Sequence, residues 1–158
     1  YGPTILVVKI QGGMGSMHIS IGTGMISGLG GRFNVSVGVS LWEPYSGSTT
    51  YNVSFRLYER SEQDDKYSDV PMAENTVVAL KDKDSMYVTF SSGDLTATIP
   101  DTRGIYIYKV EFGTVIDTWE TFEFPIWVKE GMLISPINIA SSFKKLVGCA
   151  PKSSVINI

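Results

Sequence analysis

Phe33-Asn34-Val35-Ser36-Val37-Gly38-Val39-Ser40-Leu41 decides the fold class. Every second residue is apolar and the residues between are polar or glycine, the period of a strand that buries one face and wets the other. After the turn cluster Pro44-Tyr45-Ser46-Gly47 the same period resumes, with Tyr51, Val53, Phe55 and Leu57 set against Asn52, Ser54, Arg56 and Tyr58. Further strand patterns fall at roughly 76–80, 85–91, 94–99, 104–112 and 120–129, separated by Asp, Lys, Ser and Gly connections of turn length. About seven short strands in this spacing predict an all-β chain built as an antiparallel β-sandwich.

Asp101-Thr102-Arg103-Gly104-Ile105-Tyr106-Ile107-Tyr108 is the most specific local feature. It resembles the E–F corner of immunoglobulin-like domains, in which a tyrosine hydroxyl bonds back across the corner, and the resemblance implies that Tyr106 is that residue. Two positions later, where antibody domains place a disulfide cysteine, stands Tyr108, so the disulfide between sheets is not expected. The stretch 33–130 also resembles the Ig-like modules of secreted microbial proteins, and an Ig-like domain uses about 100 residues. The chain is therefore read as three parts: an N-terminal extension over 1–32, an Ig-like β-sandwich over 33–130, and a C-terminal helix and tail over 131–158 packed on the domain or on a neighbour.

The N-terminal extension opens with a candidate strand over 4–11. Ile5, Leu6, Val7, Val8 and Ile10 make it apolar on both faces, as in a strand covered on both sides. Half of the chain's 16 glycines follow between Gly12 and Gly31, interleaved with apolar residues, which predicts bends and close backbone approach. At the other end Ser135 as cap, Pro136 at the first helical position, Ile139, Ala140, Phe143, Leu146 and Val147 at helical spacing, and Gly148 as stop predict a short helix. The tail Val155-Ile156-Asn157-Ile158 is again strand-like.

Composition narrows the function. The 158 residues carry 13 basic and 16 acidic side chains, and no basic stripe exists to neutralise phosphates, which argues against nucleic acid as a partner. No run nears the roughly 18 apolar residues of a membrane-spanning helix. One histidine, His18, and one cysteine, Cys149, cannot form a Cys/His zinc site or an internal disulfide. His18 lacks any nucleophile-and-acid motif beside it, and Cys149 reads as a lone thiol. Gly12-Gly13-Met14-Gly15 is not a phosphate loop, since no Gly-Lys-Ser/Thr follows and the next segment alternates like a strand. Glu59, Glu62, Asp64, Asp65 and Asp69 lack EF-hand spacing and read as a solvated loop. Trp42, Trp119 and Trp127 could form a sugar platform, but packing between facing sheets accounts for them more economically. No catalytic set, metal or cofactor is expected.

A chain that opens on Tyr1-Gly2-Pro3 rather than Met reads as a processed product, which predicts an extracellular or cell-surface location. There Asn34-Val35-Ser36 and Asn52-Val53-Ser54 become candidate acceptors of N-linked glycan at Asn34 and Asn52. An Ig-like centre with apolar extensions and no catalytic set resembles the donor-strand pili of bacteria and the thread and bundling-pilus filaments of archaea. That resemblance implies a homopolymer in which Ile5, Leu6, Val7, Val8 and Ile10 are donated to the next subunit, with Gly12 and Gly13 as the hinge. Val155, Ile156 and Ile158 are the alternative donor. The long N-terminal helix of archaeal type IV pilins is excluded by Gly2, Pro3, Gly12, Gly13 and Gly15. The rival readings are a monomeric carbohydrate- or surface-binding module and a viral capsid or tail protein.

Overall fold

Antiparallel pairing accounts for every strand in the computed structural model, which describes residues 4–9, 15–23, 31–42, 49–81, 84–129, 132–134, 142–144 and 155–157. In chain order the strands are β1 (Thr4–Lys9), β2 (Gly15–Thr23), β3 (Arg32–Trp42), β4 (Thr49–Ser61), β5 (Ala73–Lys81), β6 (Tyr87–Ser91), β7 (Leu95–Thr98), β8 (Gly104–Gly113), β9 (Thr118–Lys129), β10 (Met132–Ile134), β11 (Ser142–Lys144) and β12 (Val155–Asn157). No helix occurs among the described residues. One sheet runs β1-β2-β3-β6-β5-β4-β8-β9-β10, with β7 also on β3, while β11 and β12 pair separately.

The alternation read in β3 is the burial pattern observed: Phe33, Val35, Val37, Val39 and Leu41 lie inside. Tyr51, Val53, Phe55 and Leu57 of β4 do the same, joined by Tyr108, Val110 and Phe112 of β8 and by Phe122, Phe124, Ile126 and Val128 of β9. In a flat sheet Phe33 and Tyr108 would stand four strand spacings apart, about 19 Å. Their rings instead meet edge to face with centroids 5.0 Å apart. The sheet is therefore curled, and its concave side is the core.

The curl is made where β5 meets β6, because those strands share a single register pair, Leu80 with Thr89. Across this corner the leaves are held by rings: Phe90 of β6 lies 6.0 Å from Phe55 and 6.1 Å from Phe112, and the latter two stack at 5.0 Å. Opposite β3, β6 and β7 act as one strand broken in the middle, β6 pairing Gly38–Trp42 and β7 pairing Arg32–Val35. Ser92 fills the break. Its N–H donates to the Val37 carbonyl at 2.8 Å and its hydroxyl accepts from the Val37 N–H at 2.9 Å, so no buried backbone group of Val37 is orphaned. Gly93 follows at φ +66°, a left-handed step that lets the chain leave β6 and re-enter as β7.

Between β8 and β9 the hairpin closes through the Thr114 N–H, which donates to the Asp117 carbonyl at 2.9 Å. Gly113 packs against this turn so closely that a Cβ there would collide with the Asp117 carbonyl oxygen and stand 2.8 Å from the Thr118 Cα and the Trp119 nitrogen. Gly113→Ala is expected to lower stability by about 1–3 kcal/mol, the cost of overpacking a site walled by backbone, read as an earlier urea midpoint. An unchanged midpoint would show that the turn yields freely.

The helix expected over 135–147 needs correction where it is described: Ser142–Lys144 forms β11, paired with Val155–Asn157 of β12. An isolated helix of this length gains little from propensity alone, so a pairing partner decides the conformation. Residues 135–141 and 145–147, like Ile158 and Cys149, lie outside the described residues.

Candidate functional site

β1 occupies the outermost place in the sheet. All six of its residues pair with β2 in antiparallel register, Ile5 with Ser20, Leu6 with Ile19, Val7 with His18 and Val8 with Met17. β2 in turn pairs with β3 from Gly15↔Leu41 to Thr23↔Phe33. Ile5, Leu6, Val7 and Val8 thus lie on one strand with one neighbour among the described residues, while Ile10, Gly12 and Gly13 fall outside them. His18 is in β2, and its register partners are Val7 and Gly38, none of them an acid or a nucleophile.

The tryptophans do not converge on a platform. Trp119 is buried in the core, edge-on to Tyr51 at 5.8 Å and to Phe90 at 6.4 Å. Trp127 lies exposed on β9, and Trp42 ends β3, half-buried and in register with Tyr87. Tyr106 is the third residue of β8, and its hydroxyl donates back to the Thr102 carbonyl at 2.9 Å. The acidic group is also divided: Glu59 belongs to β4 and accepts from the buried Tyr108 hydroxyl at 2.5 Å, whereas Asp64 accepts from the Ser61 hydroxyl at 2.9 Å in the turn. Among the described residues no three His, Cys, Asp or Glu side chains come together as a metal site. None of the helices required for membrane crossing by a long apolar segment occurs among them either.

One surface cluster was not read from the sequence. On the convex side of β4 and β8 the Lys109 ammonium sits 4.8 Å from the Tyr58 ring centroid and 4.5 Å from that of Tyr67, which reaches over from the loop after β4. Arg60 adds a second cation 5.2 Å from the Tyr67 ring. The Tyr67 hydroxyl donates to Glu123, and Arg56 pairs with Glu111 at 3.1 Å. Burial, then the bond to Glu123, pushes the Tyr67 phenol up to about 12. Tyr58 is raised by burial and by the neighbouring Glu111 charge. Tyr67 comes from the turn-rich loop that follows β4, beyond the end of the β4 pattern at Leu57–Tyr58, so no strand period predicts where it lands. The cluster pins that loop to the sheet by cation–π contacts, each worth about 0.5–1 kcal/mol at exposed sites.

Asn52 is exposed on the convex face of β4, and Asn34 is half-buried on β3, where its side-chain oxygen accepts from the Thr96 hydroxyl at 2.8 Å. Comparison of the chain with protein-family models, with curated proteins and with solved structures gives no match.

Proposed function

We propose that the chain is a non-enzymatic structural subunit of an extracellular filament, joined head to tail by donation of β1 from one copy to the next. The observation that carries this reading is the position of β1: a strand apolar on both faces by sequence and, among the described residues, last in the sheet and held by one neighbour along its whole length. Such a strand can trade its own β2 for the same surface in a second copy without losing a main-chain hydrogen bond. Donor and acceptor are different surfaces, so the contact need not close on itself and, repeated, makes a filament. The curled sheet is read as an Ig-like sandwich, supported by the pairing of β3 with β7, the β4-β8-β9 leaf, and the Tyr106 bond back to Thr102. An extracellular place and N-linked glycan belong to the same reading. The rival sugar-binding module loses its central ring, because Trp119 is buried.

Negative-stain microscopy of the full chain beside a variant lacking residues 1–11 tests the proposal. Fibres are expected from the full chain only, and a synthetic 1–11 peptide is expected to bind and stabilise the truncated form. Two well-folded monomers would overturn it.

A further inference from the structure

Exposed apolar side chains are unevenly spread. Val78 and Leu80 of β5 are 62% and 61% exposed, and Val115 and Ile116 at the β8–β9 tip are 88% and 95% exposed. Asn52 stands between these two groups. It is directly opposite Val78 in the β4–β5 register, with Leu80 opposite Thr50 on the same face. On its other side the β4–β8 ladder has already ended at Ser54↔Gly113, so beyond that pair β4 is flanked by the turn that carries Val115 and Ile116. Asn52, which stands with Thr50 beside this apolar strip, is the asparagine of an Asn-Val-Ser sequon.

We infer that Asn52 carries an N-linked glycan whose inner sugars lie over Val78 and Leu80. The inference rests on the extracellular location proposed above and not on filament formation. Sugars have apolar C–H faces as well as hydroxyls, so a glycan anchored at Asn52 covers the strip and presents its polar edge to water. Adjacent exposed apolar side chains, unlike single scattered ones, mark surfaces that something covers. In the attachment step the Asn52 carboxamide nitrogen forms a bond to the anomeric carbon of an oligosaccharide carried on a lipid diphosphate. The anomeric C–O bond breaks, the electron pair leaves with the lipid diphosphate, and the amide gives up one proton. Asn34 is less suited. It lies inside the sheet between Gly22 of β2 and Thr96 of β7, and its carboxamide is already engaged by Thr96.

The test uses the protein from its natural cells, fractionated into surface and cytosolic material, with glycopeptide mapping of the segment that contains Asn52. Surface protein glycosylated at Asn52 is expected. Asn52→Gln made in the same cells is expected to raise hydroxyl-radical labelling of Val78 and Leu80 about threefold as the strip is uncovered, with Val70 and Met72 unchanged, and Asn34→Gln is expected to leave labelling as it was. Surface protein with bare Asn52, or labelling unaffected by Asn52→Gln, overturns the inference and leaves the extracellular reading standing. Protein confined to the cytosol overturns both.

Discussion

Phe55→Ala is expected to cost about 3–5 kcal/mol, the range for removing a large aromatic side chain from a packed interior. Phe55 is fully buried, stacks on Phe112 at 5.0 Å and meets Phe90 at 6.0 Å. It therefore touches both leaves of the curled sheet, and no neighbour on a rigid strand can move far enough to refill the space. Urea unfolding measures the loss, with Val78→Ala as the internal comparison. Val78 is exposed, so its truncation should change stability by less than about 0.5 kcal/mol. Similar small effects at both positions would mean that the leaves are not packed through Phe55.

Stability should also fall steeply in alkali. In the unfolded chain the phenols ionise at the ordinary value of 10.0, whereas in the fold Tyr67 holds its proton to about 12. Tyr108 holds its proton further still, because burial and then the hydrogen bond to the Glu59 carboxylate oppose a second negative charge. Below pH 10 both states are protonated at these groups and the stabilisation is whole. As pH rises from 10 towards 12 the unfolded chain gives up protons that the native chain keeps, so the equilibrium moves towards unfolding. Urea midpoints taken across that window should drop continuously, and the drop should be shallower in the double variant Tyr67→Phe, Tyr108→Phe. A flat profile would mean that the two phenols are open to water in the fold.

Much of the fold is legible in the sequence because burial in a half-covered strand leaves a period of two. β3 is read residue by residue, β4 likewise except at Ser54, which is buried beside Thr76, and β8 is announced by Gly104, whose φ of +148° suits only glycine. The period fails where the ladder shifts. Between β8 and β9 the register slips at Phe112/Gly113, and the consecutive residues Trp119 and Glu120 are both buried, which alternation forbids. That slip is why a core tryptophan looks the same in sequence as the exposed Trp127. The start of β5 escapes for a different reason: Glu74, Asn75 and Thr76 are exposed and polar on both faces and carry no burial signal. Of the candidate site, the apolar run of β1 is legible, but its pairing with β2 is a long-range choice among several possible partners. The Lys109 cluster depends on where a loop lands, and loops leave no period to read.

The single register pair between β5 and β6 has a mechanical consequence. Main-chain hydrogen bonds cannot carry force from one leaf to the other through a seam one residue pair wide. Tension that separates the leaves is borne by the rings of Phe33, Tyr108, Phe55, Phe90 and Phe112, whose contacts are broad, short-ranged and released together. Under load the molecule is expected to hold at nearly constant extension and then open like a book along its spine.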